Sequence, residues 1–205
     1  TTRTFVEGLV AEGTFGDNLT WSFFESGKLV IGGTGAMPDF NGRNDQPWAE
    51  YRDDVTSIVI GKDITSLGKY AFAYAYSVKT VTFEEGSKLE KIGAAAFLYT
   101  YVTEVVIPDS VTTIGNYAFA WCTSLENIVS HIPAENLFTI DSNVFILVDK
   151  NNCTLYVPAG AKEIYATTNG WKDFTNIVEI LNRTRTAHER LFYIVYAFRE
   201  RLKKR

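Results

Sequence analysis

One phrase recurs along the middle of this 205-residue chain. Residues 64–72 read ITSLGKYAF, residues 89–97 read LEKIGAAAF and residues 111–119 read VTTIGNYAF. A more degraded copy ends at Phe145. The spacings between Phe72, Phe97, Phe119 and Phe145 are 25, 22 and 26 residues. A period in the low to middle twenties is the length of one solenoid coil, a strand plus a return arc. Each coil buries its apolar face only against its neighbours, so function is to be sought on the surfaces of a stack rather than in an enzyme cleft.

Each repeat opens with a strand. The openings are VTSIVI (55–60), VKTVTF (78–83), VTEVVI (102–107), LENIVS (125–130) and CTLYVP (153–158). Alternation turns Ile58, Ile60, Val81, Phe83, Val105, Ile107, Ile128, Leu155 and Val157 inward. Val55, Val78, Val102 and Leu125 form a further buried column. Gly68, Gly93 and Gly115 stand where a Cβ is forbidden, by backbone conformation or by close approach. Ser142 replaces them in the fourth repeat and predicts a different bend there. Cys122, equivalent to Ala75, Thr100 and Val148, reads as a small buried residue. Cys153 is expected to be partly exposed, and two cysteines are too few for a disulfide framework.

The stretch VIPDSVTTIGNYAFAWC at 106–122 resembles the BspA-like leucine-rich repeat family of bacterial cell-surface proteins. The likeness covers about residues 55–180. The lead-in Gly16-Asp17-Asn18-Leu19-Thr20-Trp21 and the ending LYVPAGAKEIYATTNGWKDF (155–174) are also similar to that family. The resemblance implies a secreted or surface-attached protein that binds other proteins, host matrix among them. The expected fold is a β-rich, right-handed leucine-rich-repeat solenoid with short helical and 3₁₀ segments, an N-terminal β-cap and a C-terminal helical cap.

Both ends of a stack expose apolar faces and need covering. Four segments are expected: an N-terminal strand cap and crossing loop (1–50), the repeats (51–153), a closing repeat and cap (154–181), and a basic tail (182–205). Trp21, Phe23, Leu29 and Ile31 are expected over the first coil, with Trp48 pinning the loop 32–50. A short helix over 160–169 is predicted to turn Ile164 and Tyr165 inward, with Trp171, Phe174 and Ile177 covering the last coil. The tail carries net charge +6, so residues 1–181 carry −10 out of the total −4. Its apolar stripe Leu191, Ile194, Val195, Phe198 and Leu202 suits an amphipathic helix. That helix could dock on the solenoid or self-associate through residues 187–202, lie on a membrane surface, or be an end added by cloning or a truncated reading frame.

Residue chemistry argues against catalysis. His131 and His188 have no neighbours at metal-ligand spacing. The pairs Asp53-Asp54 and Glu84-Glu85 read as solvated turn acids, and the stretch at 41–45 lacks the acidic alternation of a calcium loop. Neither metal nor cofactor is expected. The acidic body disfavours nucleic acid. No apolar run approaches the roughly 18 residues that cross a bilayer. No leader precedes Thr1, so a signal peptide is expected to have been removed or not included.

Two surfaces remain. Outward strand residues stack into columns: Val59, Thr82, Val106, Val129 and Tyr156, and beside them Ser57, Thr80, Glu104, Asn127 and Thr154. Of these, Val59, Thr82, Glu104, Val106, Asn127, Val129 and Tyr156 are the candidate partner-binding residues. The alternative is an aromatic arc beside the Phe column: Tyr74, Tyr76, Tyr99, Tyr101 and Trp121, with Tyr70 and Tyr117 adjoining. A protein or glycan ligand is expected on one of them. The competing expectation is a structural spacer of a larger surface protein with no ligand of its own.

Overall fold

The structure is a computed structural model that describes residues 8–180. The chain forms a β-solenoid of about five turns. The long sheet contains β1 (Leu9–Phe15), β2 (Leu19–Phe24), β3 (Lys28–Gly33), β5 (Ser57–Ile60), β7 (Thr80–Phe83), β9 (Glu104–Ile107), β11 (Asn127–Ser130), β12 (Thr154–Pro158) and β13 (Asn176–Ile180). Strands β1, β2 and β3 pair antiparallel as a meander; from β3 onward every pair is parallel. The change of sense marks where hairpin turns give way to coils, because parallel neighbours need a crossover between them.

The first four crossovers each carry a second strand that sequence reading missed. The short strands β4 (Gly35–Ala36), β6 (Ile64–Leu67), β8 (Lys91–Ile92) and β10 (Thr113–Ile114) form a four-stranded sheet in the order β10-β8-β6-β4. Strands β6, β8 and β10 are the apolar phrase before Gly68, Gly93 and Gly115, too short for a two-residue period to show. The crossing loop therefore contains a strand, β4, and its Met37 N–H is bonded to Ser66 O at 3.0 Å.

The three glycines are explained by close approach. A Cβ on Gly68 would stand 1.8 Å from the Pro38 carbonyl oxygen, on Gly93 2.6 Å from Leu67 O, and on Gly115 2.4 Å from Ala94 N. None of the three has a left-handed backbone. They form a ladder in which each coil's backbone lies directly on the one before. Counted back from Phe145, the glycine's place in the fourth coil is Asp141 rather than the exposed Ser142, and Asn143, the equivalent of Tyr70, Ala95 and Tyr117, lacks their left-handed turn. The different bend predicted there is present.

Inside the coils Phe72, Phe97, Phe119 and Phe145 stack at 5.3, 5.3 and 5.4 Å between ring centres. Trp48 continues this column at one end, 5.6 Å from Phe72. Phe174 and Trp171 meet Phe145 at the other, at 5.3 and 5.9 Å. Val55, Val78, Val102 and Leu125 are all buried, as expected of a further inward column, whereas Phe83, which the alternation turns inward, is only partly so.

Two expectations need correction. The closing helix α1 spans only Lys162–Tyr165, and Ile164 is 43% exposed. Tyr165 alone turns inward, its hydroxyl donating to Ile132 O at 2.9 Å and meeting Ser130 Oγ at 2.6 Å. One turn of helix presents one inward position, so two adjacent side chains cannot share it. Cys153 is buried at 1% exposure rather than partly exposed. The parallel pairing of β12 with β13 adds a further strand beyond it, which the repeat count did not include.

Candidate functional site

The outward columns stand in register. Val59 lies opposite Thr82, Val106 opposite Val129, and Val129 opposite Tyr156. Thr80 opposite Glu104 joins the two halves. The structure lengthens the column at both ends, with Val30 opposite Val59 and Val178 opposite Tyr156. The second column runs through Glu104, Asn127 and Thr154 to Asn176, whose Nδ2 donates to Thr154 Oγ1 at 2.7 Å. Most members are half-buried by their strand neighbours; Thr80, Thr82, Glu104, Asn176 and Val178 are exposed. The face is flat, β-branched and of mixed polarity, as a sheet surface shaped by strand propensity also is.

The arc is more unusual. After each glycine the chain makes a series of tight turns, closed by bonds such as Ala71 N–H to Gly68 O and Ala73 N–H to Tyr70 O, both 3.3 Å. Alternate N–H groups point to the next coil instead. Tyr70, Phe72 and Tyr74 donate to Ala94, Ala96 and Leu98 at 3.1, 2.7 and 2.7 Å. Ala95, Phe97 and Tyr99 donate to Asn116, Ala118 and Ala120 at 2.9, 2.8 and 3.0 Å. The arc is thus a ladder of its own, perpendicular to the chain.

Its turns require left-handed residues that are not glycine. Seven occur, with φ between 54° and 63°: Tyr70, Tyr74, Ala95, Tyr99, Tyr117, Trp121 and Leu147. They fall two residues after the repeat glycine or two after the core Phe. A left-handed L-residue costs about 1–2 kcal/mol, and a bulky one is an outlier. Glycine or asparagine would relieve the strain, yet five of the seven are Tyr or Trp. No sequence rule marks these positions as left-handed, because the usual signal is glycine itself.

The left-handed turns place Tyr74, Tyr99 and Trp121 half-buried on the outer arc, where each ring meets its neighbour from the next coil. Tyr74, Tyr99 and Trp121 form one continuous stack, with centres 5.6 and 5.0 Å apart and planes within 20°. Tyr76 and Tyr101 run alongside, 6.1 Å apart, and Tyr117 adjoins Trp121 at 6.3 Å. Beneath the rings lies a satellite apolar cluster of Ala73, Ala95, Leu98 and Ala120, separate from the main core. Tyr76, Tyr101 and Tyr117 are 40, 44 and 39% exposed. Burial pushes the Tyr74 phenol above its ordinary value, with Tyr70, Tyr76 and Tyr99 adding to the rise and Arg43 opposing it. Ring contacts thus connect Tyr74, Tyr76, Tyr99, Tyr101, Tyr117 and Trp121 into one aromatic surface, and Tyr70 packs against the same satellite cluster.

The two thiols are free and buried. Cys122 Sγ bonds Phe97 O at 3.2 Å and lies 3.3 Å from Thr100 Oγ1, so adjacent coils are laced through it. Burial pushes Cys122 up to about 11. Cys153 rises to about 12, by burial and by the Asp149 carboxylate. With almost no thiolate at pH 8, neither thiol is a nucleophile in the native state. Labelling with iodoacetamide at pH 8 is expected to modify both cysteines in urea and neither in buffer; rapid native labelling would contradict the packing. Among the described residues no three His, Cys, Asp or Glu side chains converge as metal ligands, and no helix is long and apolar enough to cross a membrane. The proposed self-association segment, residues 187–202, and His188 lie outside the described residues.

A family model described as BspA type leucine rich repeat region matches residues 49–168 in 6 copies. No curated protein matches the chain. Among solved structures, a leucine-rich repeat protein from Eubacterium ventriosum is similar at 21% identity and a TM-score of 0.39, over 75% of this chain and 57% of that one. The pneumococcal vaccine antigen PcpA is similar at 20% identity and a TM-score of 0.41, over 78% of this chain and 52% of that one. A leucine rich repeat protein from T. pallidum is similar at 13% identity and a TM-score of 0.36, over 81% of this chain and 82% of that one. The chain thus spans little more than half the length of the first two.

Proposed function

Since the chain belongs to the BspA-type leucine-rich repeat family, we propose that it is a non-catalytic, extracellular interaction module whose aromatic arc holds a protein or glycan partner. The observation that carries this reading is the left-handed Tyr and Trp set. Backbone strain at bulky residues persists only where the surrounding structure over-determines it, and it clusters at binding sites. Here the strained positions hold the half-buried stack Tyr74, Tyr99 and Trp121 and the exposed Tyr117, with unstrained Tyr76 and Tyr101 alongside. Tyr and Trp supply large contact area at low entropy cost and dominate binding energy at interfaces. The strand face, with Val106 and Tyr156, forms the secondary surface of the same reading.

The remaining architecture follows the same proposal. We take the coils to wind right-handed, since parallel strand crossovers do so in about 98% of cases. Trp21 and Phe23 over the first coil, and Trp171 and Phe174 over the last, serve as caps that stop the stack from extending by edge pairing.

The test is binding of the purified chain to immobilised collagen, fibronectin and laminin and to a glycan array. Tyr76→Ala and Tyr101→Ala, both at exposed positions, are expected to weaken any captured partner by about 10-fold or more each, the loss of about 1.4 kcal/mol or more. Val106→Asp and Tyr156→Ala report on the strand face. Arc variants that bind as well as wild type, while the strand variants fail, would move the site to the sheet. Absence of binding throughout would leave the spacer reading in possession.

A further inference from the structure

The loop between β4 and the first coil contains two buried polar atoms that no group among the described residues satisfies. Gln46 is 5% exposed, and neither its Oε1 nor Arg52 Nε has a hydrogen-bond partner among the described residues. The orientation of the Gln46 amide is determined by its other end, because Nε2 donates to Gly42 O at 2.9 Å and to Tyr70 O at 2.5 Å. Arg52 is held from its far end, Nη1 donating to Arg43 O and, at 3.3 Å, to Asn44 Oδ1. The nearest carboxylate oxygen, Asp53 Oδ1, is 3.5 Å from Arg52 Nε but belongs to a largely exposed side chain and forms no hydrogen bond with it.

Gln46 and Arg52 line the same small internal cavity, walled otherwise by Leu29, Trp48, Val55 and Phe72 among others. About 10 Å³ of it is open to the centre of a water-sized sphere, the room that one water needs. One wall atom is an acceptor and the other a donor. A bound species must therefore both donate and accept. Chloride has no proton for Gln46, and a metal cation has no lone pair for Arg52 and is repelled by the guanidinium.

We propose that one structural water occupies this cavity, accepting from Arg52 Nε–H and donating to Gln46 Oε1. It completes the junction between the loop and the coil stack. Every later arc carbonyl that is paired across coils receives a backbone N–H from the coil before it, as Ala94 O does from Tyr70. Tyr70 belongs to the first arc, where Phe40 N–H takes the earlier coil's place by donating to Lys69 O at 3.0 Å, and the Gln46 amide ties the loop to the same turn as a second donor to Tyr70 O beside Ala73 N–H. The water holds that amide in place, and so fixes the front end of the aromatic arc. This inference stands whether or not the arc binds a partner.

A crystal structure of the wild-type chain at about 1.5 Å tests it. The expected result is a single water peak within about 2.7–3.2 Å of both atoms. Oxygen-17 relaxation dispersion is expected to show the loss of one long-lived water in Gln46→Met. A dry cavity, an ion in it, a direct Arg52–Gln46 hydrogen bond, or a Gln46→Met variant with the wild-type number of long-lived waters would each overturn the proposal. Should Gln46→Met not fold, the wild-type density decides alone.

Discussion

Phe119→Ala is expected to lower the unfolding free energy by about 3–5 kcal/mol, the usual cost of emptying a fully buried aromatic site. Phe119 is 0% exposed and sits between two rings, Phe97 at 5.3 Å with planes 4° apart and Phe145 at 5.4 Å with planes 8° apart. Truncation therefore removes the transfer energy of the side chain and two stacking contacts at once. Collapse cannot repair the gap easily, because the backbone beside it is tied to the next coil through Phe119 N–H to Val144 O at 3.0 Å. Urea unfolding followed by circular dichroism measures the loss. A change below about 1 kcal/mol would mean that the Phe column is not the structural spine, despite its complete burial.

Gly93→Ala is expected to cost about 3 kcal/mol or more, at the upper end of overpacking effects. The added methyl would lie 2.6 Å from Gly68 C and Leu67 O and 2.7 Å from Lys69 N. These are backbone atoms, so no rotamer change can make room; the coils must separate. Separation stretches the bond from Gly93 N–H to Leu67 O, now 2.9 Å, and the arc ladder beyond it. Gly86→Ala is the control. Gly86 has φ +74°, and an added methyl there would meet nothing within 4 Å, so only backbone strain of about 1–2 kcal/mol applies. Equal losses in the two variants would show that Gly93 is required for backbone conformation rather than for coil spacing.

Much of this was legible in residue order. The Phe column, the buried valines and the outward strand columns all follow from period and alternation, because a solenoid repeats the same contact at every turn. The short strands β6, β8 and β10 were not, since two to four residues carry too little pattern to be read. Phe83 shows the limit of alternation: its strand position points inward, yet it stays partly exposed, and nothing in the structure explains why. The aromatic arc was legible as a set of residues but not as a surface. Tyr74, Tyr99 and Trp121 lie 25 and 22 residues apart, and only their left-handed backbone turns the rings outward and into contact.

The sequence by itself determined the stack: its period, its core column, and the glycines at which coils touch. These are local requirements repeated at a constant interval, and repetition converts them into a fold. Tertiary structure alone decided the rest. It placed the strain at aromatic residues, chose close approach over backbone conformation as the reason for Gly68, Gly93 and Gly115, and brought Gln46 to the carbonyl of Tyr70 across 24 positions. Each depends on how one coil lies on another, an inter-coil geometry that no window within a single coil contains.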